Sequence, residues 1–384
     1  MTGSSFAAVI VGAGPAGSAA ATALAARGHT VLLLEKDEFP RDKVCGEFLS
    51  AEAQTALASL GVADAVARVG PERILRGAVH PDDGEAVSFD LPRPALGISR
   101  RVFDDLLARR AAAAGADLRF HHRVVSIDGD LASGFRLRAA GVAGDLEVSA
   151  RTVIGAWGRW NALDRELERG FERARSAYLG WSRDFVGDTG FLEGRVHLYV
   201  FPGGYCGLSR VEDGEVNLAG VISESEYRRL DGGWEAVVRS ARSGNAGLDA
   251  DLARVRPGPR GFLGVGPVHF TAKPPVEEDI LMVGDAAGVI DPFSGQGQAA
   301  ALRSGLLAAE VADQYLRGSL EAGAARATYG RRWKKAFASG FAWSAALRSV
   351  MLNPRLGRVA GRIAGRSLVR LGIAATRGAG PFRD

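Results

Sequence analysis

Val9-Ile10-Val11-Gly12-Ala13-Gly14-Pro15-Ala16-Gly17 is the stretch that decides the fold, and Glu35 follows it 18 residues after Gly17. Phe6 to Val11 is a short apolar run rich in β-branched residues, and the alanine-rich stretch Ser18 to Arg27 ends at a helix-stopping Gly28. Thr30 to Leu34 is then a continuous apolar run of the kind buried on both faces of a parallel sheet. The pattern predicts strand, turn, helix, strand. In such a unit Gly12 permits the tight turn, Gly14 lets backbone approach a pyrophosphate, and Gly17 lets the helix pack close to the strand. The helix N-terminus offers free N–H groups to phosphates, while Glu35 can accept ribose hydroxyls. An acid there disfavours a 2′-phosphate, so FAD or NAD fits this turn better than NADP.

At 384 residues the chain exceeds the roughly 250–300 over which one core keeps growing, which predicts two structural domains. With 47% hydrophobic and 24% charged residues it has an ordinary globular composition, and extensive disorder is excluded. Two cysteines, Cys45 and Cys206, are too few for a disulfide framework and suit a reducing compartment, so a cytoplasmic location is expected. Phe6 to Ala26 carries no charge, yet Gly12, Gly14, Pro15 and Gly17 interrupt it as a membrane-spanning helix, and Met1 to Ser5 lacks the basic start of an export signal.

Further along, Ala51 to Leu60 and Arg100 to Ala114 read as helices, and Ile74 to Phe89 as a β pattern broken by the turn Pro81-Asp82-Asp83-Gly84. Asp117 to Ile127, Phe135 to Leu137 and Thr152 to Ile154 read as strands; from there to about residue 270, strands and glycine turns predict a second, antiparallel sheet. Ile280 to Val283 restores a buried strand, followed by a helix from Gln298 to Arg317. The expected organisation is α/β: a discontinuous Rossmann-type dinucleotide-binding domain (1–77, 96–160, 271–330), an inserted antiparallel-sheet substrate domain (78–95, 161–270), and a basic helical C-terminal segment (331–384).

Ile280-Leu281-Met282-Val283-Gly284-Asp285-Ala286-Ala287-Gly288 is continued by Asp291-Pro292-Phe293-Ser294-Gly295-Gln296-Gly297-Gln298. A carboxylate at a strand end can hold ribityl hydroxyls, and glycines at a helix start bring N–H groups close to a flat ring. With the first motif, this segment resembles the third FAD motif of the family that joins aromatic-hydroxylating flavoprotein monooxygenases, flavin-dependent halogenases and geranylgeranyl reductases, over about residues 6 to 320. The resemblance implies FAD contacts at Gly12, Gly14, Ala16, Gly17, Glu35, Lys36, Cys45, Arg100, Val125, Asp285, Pro292, Gly295, Gly297 and Gln298. Arg100 is expected to reach the FAD phosphates or ribityl chain.

Three stretches bear on the branch. Arg41-Asp42-Lys43-Val44-Cys45-Gly46-Glu47 is similar to the cysteine-glycine-acid segment of geranylgeranyl reductases, which lies against the flavin. His197-Leu198-Tyr199-Val200-Phe201-Pro202-Gly203-Gly204-Tyr205 resembles the aromatic-x-aromatic-x-Phe-Pro pattern of the same reductases, so His197, Tyr199, Phe201 and Tyr205 are expected to line a substrate cavity. Gly155-Ala156-Trp157-Gly158-Arg159 puts Trp157 where hydroxylases carry the Asp of Asp-Gly, and the halogenase Trp-x-Trp-x-Ile-Pro signature is absent. Cys45, Glu47 and Tyr199 are the catalytic candidates, and no metal is expected. The expected reaction is hydride transfer from reduced FAD to a carbon-carbon double bond of a prenyl, polyketide or quinone-like substrate, with NAD(P)H as external donor. An NAD(P)H- and O₂-dependent monooxygenase remains open.

Residues 331–384 hold 12 Lys and Arg against one acid, Asp384, a tail of +11 on a body of −7. Arg355, Arg358, Arg362, Arg366 and Arg370 recur every three or four residues, a basic helix face suited to a membrane surface, a carrier protein or the acidic body itself. A non-catalytic nucleic-acid- or membrane-binding protein is the cross-class alternative; nucleic acid is not expected as a partner, because charge stands there without a recognition motif.

Overall fold

The computed structural model describes residues 4–82, 85–142, 144–159, 161–171 and 177–351. The basic face from Arg355 to Arg370 and part of the turn at Asp83-Gly84 lie outside the described residues. The chain begins β1 (Ser4–Val11), α1 (Pro15–Ala25), β2 (Val31–Leu34), β3 (Phe48–Leu49), α2 (Ala51–Leu60), α3 (Ala63–Arg68), β4 (Glu72–His80) and β5 (Val87–Gly97). It continues through α4 (Arg100–Ala113), β6 (Asp117–Arg119), β7 (His122–Asp130), β8 (Gly134–Gly141), β9 (Leu146–Gly155), α5 (Leu163–Glu166) and β10 (Tyr178–Gly187). Then come β11 (Arg195–Phe201), β12 (Gly204–Arg210), β13 (Val216–Ser223), α6 (Glu224–Arg229), α7 (Gly233–Gly244), α8 (Ala246–Leu252), β14 (Val255–Val268), β15 (Val276–Glu277), β16 (Ile280–Met282), α9 (Gly297–Leu316) and α10 (Ala322–Met351).

Two sheets organise these elements. In the first, β16, β9, β1, β2 and β6 run parallel in that order, as the buried apolar runs and the β1–α1–β2 unit require. An antiparallel β7–β8 flap joins it through β9, and β15 edges it beyond β16. The second sheet has the order β14-β10-β13-β12-β11-β4-β5-β3 and is antiparallel except where β11 runs parallel to β4. The expected segments 78–95 and 161–270 supply most of it, and its strands also take in Glu72–Gly77, Leu96–Gly97 and the short β3.

Local chemistry explains most boundaries. Pro15 starts α1 at its first turn, where a missing N–H matters least, three residues before the alanine run. The stretch read as one strand from Asp117 to Ile127 is broken at His121, whose φ is +59°, so β6 stays in the parallel sheet while β7 turns into the flap. Helices α6, α7 and α8 were not foreseen among the strands and turns before residue 270. Ser223 caps α6 by accepting from Glu226 N, and Asn245 caps α8 by accepting from Leu248 N. Val237, Ala241, Leu248 and Leu252 from α7 and α8 bury against Trp181, Tyr199 and Phe201 on the back of the second sheet.

Helices α1 and α9 meet at Gly305, where a Cβ would lie 2.2 Å from the Ala16 carbonyl oxygen. Gly305→Ala should therefore destabilise the protein by about 1–3 kcal/mol through overpacking. Gly323→Ala in α10, where a Cβ meets nothing within 4 Å, should be neutral or gain up to about 1 kcal/mol from helix propensity. Denaturant midpoints of the two variants compare these directly; equal midpoints would contradict the close crossing.

Candidate active site

Each glycine of the first turn has a distinct spatial role. Gly12 has φ +106°, a backbone few L-residues adopt, and its N–H donates to Leu34 O at 2.7 Å. A Cβ at Gly17 would lie 1.9 Å from Gly12 O, whereas one at Gly14 would meet nothing within 4 Å. Gly12 and Gly17 are thus required by packing, and Gly14 faces open space at the start of α1. Ala16 is buried, with its Cβ 3.0 Å from where a Cβ on Gly284 would stand, so it joins α1 to the second nucleotide loop. Glu35, buried at the end of β2, accepts from Ala13 N at 2.9 Å and Asp37 N at 3.1 Å, holding the glycine turn in shape. Lys36 instead pairs with Asp37 at 2.6 Å, both partly exposed. Val125 is the unmatched residue of a bulge between Val124 and Ser126 and is exposed.

Opposite this turn stand Asp285, in a short 3₁₀ turn after β16, and the loop Pro292–Ser294 with Gly295 leading into α9. Gly295 has φ +64°, and a Cβ at Gly297 would again enter open space. A small, half-open pocket lies beside these loops, lined among others by Asp285, Gly288, Gly297, Ala301 and, from α10, Trp333 and Phe337. Asp291, which the sequence reading quoted without assigning a role, is buried and accepts from Tyr205 Oη at 2.5 Å, Phe293 N at 3.0 Å and Arg348 Nη1 at 2.9 Å. Burial pushes its carboxyl up, against these donors.

A set of cations converges between the two loops. Burial pushes the Lys43 ammonium down to about 8, with Arg100, Arg41 and Arg159 adding to the shift. Arg41 reaches Asp104 at 3.3 Å and Glu35 at 3.9 Å, and Arg159 reaches Asp285 at 3.4 Å. Arg100, expected at the FAD phosphates or ribityl chain, has its guanidinium held in a two-pronged pair with Asp104, both contacts 2.7 Å, and lies against Cys45, so it organises the Cys45 loop from one turn of α4. Arg41 and Lys43 add positive charge beside it, and their spacing in the 41–47 stretch is the signal for them.

Cys45 and Glu47 come together at the flavin-motif helix. Gln298 Nε2 donates to Cys45 Sγ at 3.5 Å, Glu47 N does so at 3.4 Å, and Asn217 Nδ2 of β13 donates to Cys45 O at 2.8 Å. Glu47 has φ +54° and is 8% exposed, and its Oε1 accepts from Arg100 N at 2.9 Å at the start of α4. Burial pushes its carboxyl up to about 8; nearby Glu212 adds to the rise, while the Arg100 N–H opposes it. Burial therefore favours the protonated form of Glu47 at neutral pH.

The expected substrate wall is mostly on the other side. His197, Tyr199 and Phe201 do share one face of β11, as a strand's two-residue period demands, but that face meets α7 and α8. Tyr199 is fully buried with its hydroxyl on Asp251, and His197 Nδ1 lies 3.0 Å from the same carboxylate. Tyr199 is thus not placed as a catalytic residue, and His197 and Phe201 do not face the flavin loops. Tyr205 does, through Asp291. Its face of the sheet carries Leu198, Gly207, Ala219 and Ser182 in one row and Val200, Val221 and Gly180 in the next. Val44 lies 3.5 Å from where a Gly180 Cβ would stand. This is a largely apolar floor beneath the Cys45 loop.

The glycine turn with space at Gly14, the carboxylate at Glu35, the cations at 41 and 43, and the open helix start at Gly297 fit FAD, whose pyrophosphate is anionic and whose ring is flat. Comparison with known proteins agrees. Residues 5–194 match the FAD binding domain family. The chain is 30% identical over 380 residues to menaquinone reductase of Mycobacterium tuberculosis, covering 95% of this chain and 89% of that protein. It is 30% identical over 384 residues to digeranylgeranylglycerophospholipid reductase 2 of Methanopyrus kandleri, covering 95% and 92%. A triple mutant of a flavin-dependent brominase shares the fold at TM-score 0.83 and 19% identity, covering 98% of this chain and 96% of that one. The chain belongs to the FAD-dependent oxidoreductase family of the geranylgeranyl reductases and flavoprotein monooxygenases, and it is an FAD-dependent oxidoreductase.

Because the Gly14 Cβ position is open, Gly14→Val should fold with an unchanged circular dichroism spectrum yet purify without flavin absorbance. Full flavin occupancy in that variant would remove Gly14 from the pyrophosphate site.

Proposed function

We propose that this family member reduces a carbon-carbon double bond in the isoprenoid part of a lipid or quinone. The observation that supports it most is the buried position of Glu47 beside Cys45, where desolvation pushes its carboxyl up to about 8 and favours the acid form. Reduced FAD, when bound, supplies the hydride that one alkene carbon takes. The chain's part is the rest. Glu47 holds the proton that the neighbouring carbon needs, Gln298 and Asn217 fix the loop that carries Cys45 and Glu47, and Leu198, Ala219 and Val221 on the front of the second sheet offer an apolar surface to a methyl-branched chain. The prenyl class rests also on the names of the menaquinone and digeranylgeranylglycerophospholipid reductases that the chain resembles over nearly their whole lengths. The external donor is proposed to be NAD(P)H.

Trp157 bears on the competing hydroxylase reading. Its indole N–H donates to Asp164 at 3.1 Å, and Arg169 pairs with the same carboxylate at 2.9 Å. The residue replacing the hydroxylase Asp is thus built into a buried polar cluster. Anaerobic turnover of a prenylated quinone by the holoprotein with NAD(P)H separates the readings: double-bond reduction without O₂ is expected, and turnover only with O₂ would favour the hydroxylase.

Glu47 also sets a pH dependence. Its folded pKa lies above the unfolded carboxyl value, so it keeps its proton across neutral pH and loses it as pH rises through about 8. The rate of substrate-driven flavin reoxidation should fall above that pH. Glu47→Gln should lower this rate on the order of 10²–10⁴-fold and abolish that limb of the profile, with FAD content unchanged. A profile unaltered in the Gln variant would reduce Glu47 to a cap of α4.

Within the described residues, no helix is long and apolar enough to cross a membrane. We propose that the basic tail instead holds the enzyme at an anionic membrane surface, where isoprenoid lipids reside, each Arg near the surface contributing about 1 kcal/mol. The full chain should sediment with phosphatidylglycerol-containing vesicles at low salt, and a chain ending at Met351 should not. Equal sedimentation would dismiss the tail as the anchor.

A further inference from the structure

The back of the second sheet holds a polar cluster that the flavin chemistry does not use. His80 ends β4, His197 lies beside it on parallel β11, and Asp251 comes from α8. One ligating atom from each lies within 4.8 Å of the other two. The two imidazole rings are 5.0 Å apart between centroids, and His80 also stacks on Tyr199 at 4.6 Å. His197 and Tyr199 both bond Oδ2 of Asp251, a latch that ties α8 to β11.

His80 is the member that this latch does not explain. Its Nδ1 side faces Gly247 of α8, where a Cβ would lie 2.6 Å from that atom, so the helix approaches the ring only because residue 247 is glycine. Its Nε2 is buried, and no hydrogen-bond partner reaches it among the described residues. An imidazole nitrogen left unpaired in a buried position is destabilising relative to a satisfied one. Two imidazoles and a carboxylate form the donor set that divalent zinc prefers when sulfur is absent.

We propose that His80, His197 and Asp251 form a binding site for one divalent zinc ion, a clamp joining β4, β11 and α8 on the face of the sheet opposite the flavin loops. Zinc–nitrogen bonds of about 2.0–2.1 Å place tetrahedral ligands about 3.3 Å apart, so the present spread closes by about 1.5 Å of side-chain movement. Oδ1 of Asp251 carries no hydrogen bond among the described residues and serves as the carboxylate ligand while Oδ2 keeps its bond to Tyr199. A water completes the fourth position. The ion carries no electrons in this role and is separate from the proposed double-bond reduction.

The test uses untagged holoflavoprotein, stripped with EDTA and equilibrated with Zn²⁺ by dialysis. One zinc per chain and a raised thermal midpoint are expected for the wild type. His80→Gln removes a ligand without breaking any hydrogen bond of the latch, so its metal-free midpoint and flavin content should match the wild type while its zinc affinity falls tenfold or more, on the order seen for damaged metal sites. Absence of stoichiometric zinc in the wild type, or zinc bound equally well by His80→Gln, would overturn the site.

Discussion

Helix α1 can begin directly beneath the end of β1 because position 17 carries no side chain: a methyl group there would stand 1.9 Å from the Gly12 carbonyl oxygen. That close approach fixes the turn between them, and the turn's free edge, Gly14, is left facing space. It also brings Ala13 N onto Glu35, so the second strand's terminal carboxylate is aligned by the first strand's turn. On the far side of α1 the same economy recurs at Gly305, which lets α9 settle against Ala16. Since α9 starts at Gly297 and Gln298, the crossing also decides where the second flavin-facing loop stands. Two missing side chains therefore place both walls of the cofactor site.

Electrostatics then decides what that site accepts. Lys43, Arg41 and Arg159 gather there, and burial already pulls Lys43 towards its neutral form. Asp104 answers Arg100 with two short contacts and Arg41 with one longer contact, so the compensation is uneven: Arg100 is locked, and its neighbours are less fully matched. A bound pyrophosphate would supply the missing negative charge and stabilise protonated Lys43. Such a field favours the anionic portion of a dinucleotide over a neutral ligand.

How much of this was legible in the sequence follows from which interactions are local. The β1–α1–β2 unit and its glycines were readable, because a tight turn, a buried strand and a helix start each leave a signature within a few residues. The Asp285 and Gly297 segment was readable for the same reason. Helices α6 to α8 were missed although Ser223 and Asn245 offered caps for α6 and α8, because glycine-rich turns around them read as part of a strand-and-turn region, while the strands that α7 and α8 bury against lie up to about 70 residues away. Arg100 was assigned by resemblance to a cofactor contact, and its pairing with Asp104 one turn later was the local alternative that the i, i+4 spacing offered. Asn217 could not be seen at all, since its role is a single bond to the main chain of Cys45, from another sheet.

The aromatic pattern on β11 shows where sequence reasoning stops. Period two correctly groups His197, Tyr199 and Phe201 on one face, but periodicity carries no sign, so it does not say which face looks at the flavin loops. The sign is set by two long-range bonds, Tyr205 to Asp291 and Asn217 to Cys45, which turn the alternate residues of the sheet forward. With that choice Trp181, Tyr199 and Phe201 stabilise the rear layer, and mostly aliphatic residues, Leu198, Ala219 and Val221 among them, face the site. Glu47 has its carboxyl pushed up to about 8 because the loop that carries it is held close to that front face and out of water. The position of the sheet thus governs the chemistry of an acid that it does not itself contain.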